Sequence, residues 1–157
     1  MAYQVAVCGP AECTDLERER AYGIGALLAA RGAIVLCGGG TGVMAAVAAG
    51  ARSRDGLVVA LRPDLARAPE ASVTVATGLG EARNAVLVNS ADAVLVVGGS
   101  WGTLSEVALA MRRGGVPVVV LGGWRVLDAD GRPVPGVEHA DTPDDAVDTV
   151  FTRLGVA

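Results

Sequence analysis

The feature that most restricts the fold of this chain is a short apolar run that breaks into glycines and then continues as a helix. The run at 93–97 has the length and composition of a buried β-strand. Three glycines follow within 98–102, and the apolar residues of 107–111 predict a helix. Such a turn directs free backbone N–H groups at an anion, because no Cβ keeps the anion away. The predicted phosphate ligands are the residues of this turn: Gly98, Gly99, Ser100, Trp101, Gly102 and Thr103.

Three side chains of this stretch each allow two interpretations. Thr103-x-x-Glu106 has the spacing of a capping box, in which the two side chains only close a helix N-terminus. The same hydroxyl and carboxyl would also stand at the rim of a ligand pocket, with Glu106 one turn into the helix. Trp101 would stack on a base, or it would cover the turn or contact another subunit.

A second strand, glycine turn and helix lie upstream. The strand 33–37 runs directly into glycines, and a helix is predicted from Val43 to about Arg52. Residues 40–45 fit the dinucleotide fingerprint G-x-G-x-x-A, although they follow the second strand rather than the first. The next strand, 57–61, ends at Arg62, which would suit a 2′-phosphate or be a surface arginine. The predicted ligands in this turn are Gly39, Gly40, Thr41 and Gly42.

The helix predicted for 81–90 has a cation at its start. Arg83 lies in the first turn, where the helix dipole disfavours a positive charge by about 0.3–1 kcal/mol. A bound anion would compensate for that cost, and so would a salt bridge to Glu81. Asn84 follows Arg83 and is included among the predicted ligand-binding residues.

Strands and helices alternate along the whole sequence. This order predicts an α/β fold: a Rossmann-like, doubly wound, mainly parallel sheet of about six or seven strands with helices on both faces, in one domain over 1–157. In such sheets ligands bind at the carboxyl ends of the strands. The glycine turns and the turn before Arg83 all fall at such ends. A small hairpin or edge excursion is predicted near 124–131, and a last helix begins at Thr142-Pro143.

Composition limits the class of function. Hydrophobic residues make up 52% and aromatic residues 3%, which predicts a core of Val, Ala and Leu. The net charge of −4, without a basic block, argues against nucleic acid and anionic membranes as partners. The chain contains no lysine, which excludes a Schiff base to pyridoxal phosphate and a Walker-type lysine.

Cysteine and histidine usage points to a metal-free protein of the cytoplasm. The three cysteines, Cys8, Cys13 and Cys37, lack metal-type spacing and are expected to be reduced thiols. His139 is the only histidine and is expected at the surface, so we predict no metal site and no cofactor. The sequence shows no secretory signal and no apolar stretch long enough to span a bilayer.

The order of these motifs resembles the Lonely Guy (LOG, or SLOG) superfamily. The resemblance is carried by Gly98-Gly99-x-x-Gly102-Thr103-x-x-Glu106, by the upstream glycines 38–42 and by Glu81–Asn84. Val97 stands where the family has proline, one extra residue separates the glycines, and Asn84 replaces a basic residue. These features look closer to the molybdenum-cofactor carriers and a related bacterial subgroup once labelled lysine decarboxylase.

The resemblance implies a Rossmann-like homodimer or homotetramer that binds a small phosphorylated molecule. In LOG enzymes the motif binds the 5′-phosphate of a nucleoside monophosphate, and a glutamate and an arginine serve N-glycosidic cleavage. At the matching positions stand Glu106 and Arg83. We therefore predict a phosphoribohydrolase that splits a nucleoside 5′-monophosphate into free base and ribose 5-phosphate. The alternative is a non-catalytic carrier of a phosphorylated cofactor such as the molybdenum cofactor. A third hypothesis, from the fingerprint at 40–45, is an NADP-binding module that uses 40–42 and Arg62.

Overall fold

The computed structural model describes residues 1–156 and contains one sheet of seven strands, all parallel. The strands have four or five residues each, and those in the middle of the sheet are apolar, as expected for a sheet that is covered on both faces. They are β1 (Gln4–Cys8), β2 (Ile34–Cys37), β3 (Val58–Arg62), β4 (Val73–Ala76), β5 (Ala93–Val97), β6 (Val118–Leu121) and β7 (Val137–Ala140).

Five α-helices and one short 3₁₀-helix connect the strands. The 3₁₀-helix, Gly80–Ala82, leads directly into the third α-helix. The α-helices are α1 (Asp15–Ala30), α2 (Val43–Arg52), α3 (Arg83–Asn89), α4 (Trp101–Arg113) and α5 (Pro143–Arg153). No helix in the part of the chain that the structure describes is both long enough and apolar enough to cross a membrane.

The strand order is β4-β3-β2-β1-β5-β6-β7, which confirms the doubly wound fold. The chain builds outward from β1 to β4, returns to the other side of β1 as β5, and then builds outward again. Helices α1, α2 and α5 pack together on one face, whereas α3 and α4 pack together on the other. Two buried clusters of mainly Val, Ala and Leu fill the spaces between the sheet and these layers.

The structure corrects some predicted boundaries. The helix predicted for 81–90 is split into the 3₁₀-helix and α3. The predicted edge excursion is present, since Leu127 and Pro133 form an isolated antiparallel bridge around the 128–131 turn. The sequence analysis did not locate β7, which is a half-exposed strand at the edge of the sheet.

Candidate functional site

A crevice opens at the carboxyl edge of the sheet, between the ends of β1 and β5. The winding of the chain reverses between these two strands, which is where doubly wound sheets place their ligands. The crevice has a volume of about 370 Å³. It is lined by Gly9, Pro10, Ala11, Met44, Pro63, Gly80, Glu81, Arg83, Asn84, Ser100, Gly102, Thr103 and Glu106.

The wall on the β5 side is the N-terminus of α4, which begins earlier than predicted. Ser100 is the N-cap, and its Oγ accepts a hydrogen bond from the Thr103 N–H at 3.2 Å. The two hydroxyl oxygens of these residues are 2.9 Å apart. The predicted Thr103-x-x-Glu106 capping box is therefore wrong, because Thr103 already lies within the first turn and Glu106 lies in the second.

The start of α4 has backbone donors that the protein leaves free. Within residues 1–156, the amides of Ser100, Trp101 and Gly102 donate to no protein acceptor. The first turn also contains no acidic side chain. Free amides and an uncompensated helix dipole make this end of α4 suited to an anion.

Arg83 supplies a cation on the opposite wall. It is the first residue of α3, and its guanidinium packs against Gly38, where an added Cβ would collide with Nη1. Its Nε is buried and has no hydrogen-bond partner among the described residues, and no carboxylate there is close enough to form an ion pair with Arg83. The predicted alternative of a salt bridge to Glu81 is therefore absent from this structure.

Glu106 projects from the second turn of α4 into the same crevice. Burial raises the pKa of its carboxyl, while the nearby Cys8 thiol and the charge of Arg83 act in the opposite direction. A carboxyl with a raised pKa repels a phosphate less than an exposed one does. The structure thus brings together Glu106, Arg83 and the start of α4, which the sequence analysis had linked.

Asn84, beside Arg83, is turned toward the protein. Its side chain is 8% exposed, and its amide donates to Ser105 Oγ at 3.1 Å. Asn84 therefore ties α3 to α4 while lining the crevice, and it supplies no positive charge there.

The glycines that end β5 have a packing role. The Gly98 N–H donates to Leu121 O at 3.2 Å, and a Cβ at Gly98 would lie 2.7 Å from the Glu17 carboxylate. A Cβ at Gly99 would lie 2.7 Å from the Trp124 ring. Neither glycine lines the crevice, so the predicted turn contributes to it through Ser100 and the residues of α4.

Trp101 lies outside the crevice. Its ring meets Trp124 edge to face, with centroids 4.9 Å apart, and 78% of the residue is exposed. Trp124 in turn covers Gly99. The structure thus supports the interpretation of Trp101 as part of a cover over the turn, on the side of α4 away from Glu106.

The upstream glycine turn at 38–42 is fastened to the protein. Gly42 packs against the Pro10 and Ala11 carbonyl oxygens, and Thr41 Oγ1 donates to Ala11 O at 3.3 Å. Among residues 38–44, only Met44 lines the crevice. The predicted ligands Gly39, Gly40, Thr41 and Gly42 therefore shape the loop that borders the site.

The guanidinium of Arg62 is also hydrogen-bonded to other groups of the protein. Its guanidinium donates to the Asp64 carboxylate at 2.9 and 2.6 Å and to Gly39 O at 2.7 Å. The hydrogen bond from Arg62 lowers the pKa of Asp64 to about 2. The donors that a 2′-phosphate would need are thus already engaged.

The sequence analysis missed two parts of the site. The Gly9–Ala11 segment after β1 forms one wall, and the buried thiol of Cys8, at the end of that strand, acts on the pKa of Glu106. A glycine and a proline directly after the first strand were the available signal for that wall. Within residues 1–156 no group of three or more His, Cys, Asp or Glu side chains is arranged to hold a metal ion.

The chain is a Rossmann-like α/β protein with a crevice at the switch point of its sheet. The family model of the SLOG cluster4 family matches residues 2–147, and the chain belongs to this family. An uncharacterized protein of Archaeoglobus fulgidus is 42% identical over 133 residues, which are 80% of this chain and 87% of the relative. The resemblance to the LOG superfamily is therefore confirmed.

Two solved structures share the fold over nearly their whole length. The molybdenum cofactor binding protein of Rippkaea orientalis has a TM-score of 0.87 at 28% identity and covers 98% of both chains. The molybdenum cofactor carrier protein of Chlamydomonas reinhardtii has a TM-score of 0.85 at 29% identity and covers 99% of both chains. The chain is thus similar in fold to proteins named for binding or carrying this cofactor.

Proposed function

We propose that this protein binds a phosphorylated small molecule in the crevice and releases it unchanged, as a carrier. The ligand is a nucleoside 5′-monophosphate-like molecule or a phosphorylated cofactor of the molybdenum-cofactor type. The observation that supports this is the convergence of two unpaired donors, Arg83 and the free amides of α4, on one crevice. Within residues 1–156, no carboxylate forms an ion pair with Arg83, and the first turn of α4 contains no acidic side chain.

The phosphate is held at the start of α4. The amides of Ser100, Trp101 and Gly102 point along the helix axis at the bound oxygens, where the dipole adds to their attraction. Arg83 approaches from α3, since a guanidinium can form two parallel hydrogen bonds to a phosphate. Glu106 lies deeper and accepts hydrogen bonds from hydroxyl groups of the ligand.

Two observations favour carriage over cleavage. Asn84 stands where LOG enzymes have a second basic residue, and its side chain is buried and bonded to Ser105. Two of the solved structures that cover nearly the whole chain are named as binding or carrier proteins. A carrier needs only affinity, which the crevice provides with one cation and one helix terminus.

The second candidate is a phosphoribohydrolase, which the placement of Glu106 opposite Arg83 favours. Water would attack the anomeric carbon as the C–N bond to the base breaks, giving ribose 5-phosphate and a protonated free base. Glu106 would stabilise the oxocarbenium-like transition state and orient the water. Arg83 would hold the phosphate during this step.

One experiment separates these candidates. Ribose 5-phosphate, AMP, CMP and GMP are titrated into the protein by calorimetry, and the same mixtures are assayed for free base. The carrier predicts binding without release of base. Base release that is lost in Glu106→Gln would establish the hydrolase instead.

A matched pair of arginine variants tests the site itself. Arg83→Ala is expected to weaken binding of ribose 5-phosphate at least about tenfold, since a charged hydrogen bond to phosphate is lost. Arg112→Ala removes the same charge from the far end of α4 and is expected to leave the affinity unchanged. Equal affinities in both variants would exclude this crevice as the phosphate site.

A further inference from the structure

The turn after β6 carries a tryptophan onto the glycine turn after β5. Strands β5 and β6 are hydrogen-bonded neighbours, so the two chains leave the sheet side by side. An added Cβ at Gly123 would collide with the Gly98 carbonyl group, and only glycine allows this close approach of two backbones. Trp124 is the next residue, and its ring lies directly over Gly99.

The indole of Trp124 occupies the space that a side chain at position 99 would need. A Cβ on Gly99 would lie 2.7 Å from Cδ1 and 2.8 Å from Cγ of this ring. The ring also meets Trp101 edge to face, with the two planes at 81°, which is a favoured geometry for aromatic pairs. Trp124 thus packs against the residues before and after Ser100, the N-cap of α4.

The first turn of α4 stands between Trp124 and the crevice. Ser100 and Thr103 line the crevice on one side, and on the other they line a small cavity beneath the Trp124 ring. The volume of this cavity is about 20 Å³, which is room for a single water molecule, so the ring lies close to the turn. Trp124 itself does not line the crevice. It can therefore act on a ligand there only through this turn.

Hydrogen bonds within the protein do not fix this turn. The N–H groups of residues 99–102 have no acceptor within 1–156, and three of them are the donors proposed for the phosphate. Gly99 and Gly102 add no side-chain restriction to the backbone. Packing must therefore hold these donors in direction, and Trp124 is the largest side chain that lines the cavity beside them.

We propose that Trp124 is a positioning residue of the phosphate site, whose indole holds the turn 99–102 and thereby fixes the direction of its free amides. Donors that are held in place before binding cost less to order when the ligand arrives. The effect of Trp124 on affinity rests on the proposed function, because the ligand is the same phosphorylated molecule. Its effect on the turn is measurable without any ligand.

The first measurement is the affinity for ribose 5-phosphate, by calorimetry, in three variants of the full chain. Trp124→Ala removes the ring and should weaken binding on the order of tenfold, since the donors lose their fixed direction. Trp124→Phe keeps an aromatic ring over Gly99, so the affinity should stay within about threefold of wild type. Leu127→Ala is the matched control, because this exposed side chain lines neither the cavity nor the crevice, and the affinity should be unchanged.

The second measurement needs no ligand and separates positioning from a general loss of stability. Relaxation of ¹⁵N nuclei reports the order parameters of backbone amides on the picosecond to nanosecond timescale. In Trp124→Ala the order parameters of 99–102 should fall, and Trp124→Phe should restore them. Those of Asp144 and Asp145, in the first turn of α5, should not change. A merely structural role would lower the order at both helix ends or at neither.

Three results would overturn the proposal: wild-type affinity in Trp124→Ala, an equal loss in Leu127→Ala, or weakened affinity with unchanged order at 99–102. If Trp124→Ala does not fold, Trp124→Leu takes its place, because leucine fills apolar space but has no planar ring to cover Gly99. Wild-type affinity in that variant would likewise contradict the proposal. A wild-type protein that ignores ribose 5-phosphate, while order falls in Trp124→Ala, would refute the proposed function and leave the role of Trp124 in the turn intact.

Discussion

The N-termini of α4 and α5 have the same N-cap hydrogen bond but differ in the residues of the first turn. Each helix begins after a hydroxyl N-cap whose oxygen accepts a hydrogen bond from the third helical amide. The distance is 3.2 Å from Ser100 Oγ to the Thr103 nitrogen and 3.2 Å from Thr142 Oγ1 to the Asp145 nitrogen. Both ends lie at the carboxyl edge of the sheet, since both helices follow parallel strands.

The difference is in the next three residues. In α5 they are Pro143, Asp144 and Asp145, so proline removes one free donor and two carboxylates compensate the dipole. In α4 they are Trp101, Gly102 and Thr103, which add no charge. The side chains of α5 thus compensate the charge of its own N-terminus. The first turn of α4 has no such compensation, so its backbone N–H groups remain free to bind another molecule.

The largest expected effect comes from making α4 resemble α5. In Gly102→Asp, a carboxylate enters the first turn where an added Cβ meets only Ser100 Oγ, at 3.9 Å. Binding of ribose 5-phosphate should weaken on the order of a hundredfold, because the new charge repels the phosphate at short range. Thermal unfolding should occur at the same or a higher temperature, since an acid replaces a glycine in the first turn.

Gly102→Ala is the matched control for that variant. It adds the same Cβ without a charge, so the affinity measured by calorimetry should stay within about threefold of wild type, which is a difference below 1 kcal/mol. A large loss in both variants would mean that the backbone of Gly102, rather than the charge of the helix end, determines binding.

Intermediate effects are expected when the two caps are removed. Ser100→Ala and Thr142→Ala should each lower the free energy of unfolding by about 1 kcal/mol, as loss of an N-cap hydroxyl does elsewhere. Urea denaturation measures both changes. Only Ser100→Ala should also weaken ligand binding, so an effect of Thr142→Ala on affinity would contradict the division between the two helices.

The smallest effect concerns the acid of α4 itself. Because the folded pKa of Glu106 is raised, the folded state binds more protons than the unfolded state above the ordinary value of 4.5. Stability from this group is therefore lost as pH rises from that value through the folded pKa. The free energy of unfolding should therefore decrease as pH rises through this range. Urea titrations at several pH values should show that Glu106→Gln removes this contribution to the dependence of the unfolding free energy on pH.

Most of the fold could be predicted from the sequence because its strands are apolar runs that end at glycine or proline. The runs at 93–97 and 33–37 are buried on both faces, so their composition alone marks them. Val137–Ala140 carries a glutamate and a histidine on the half-exposed edge, and it has no such run. An edge strand of this kind is recognisable only in the structure, from its pairing with β6.

The site was predictable in part. Free donors after β5 follow from the glycine turn, whereas the roles proposed for Arg83 and Glu106 depend on the family resemblance. Of the two interpretations of Thr103-x-x-Glu106, the capping box depends on a hydroxyl residue with a glutamate three positions on, whereas the structure caps α4 with Ser100. The wall formed by Gly9–Ala11 faces α4 because β1 pairs with β5, and no local pattern in the sequence contains that pairing.

The pairing of β1 with β5 also has a consequence for folding. These strands are separated by more than eighty residues, and three other strands lie between them in the chain. The crevice lies between the ends of β1 and β5, so neither the N-terminal nor the C-terminal half of the chain can form it alone. Because long-range pairing of parallel strands is slow, competence to capture a ligand should arise late in folding, after most helices have already formed.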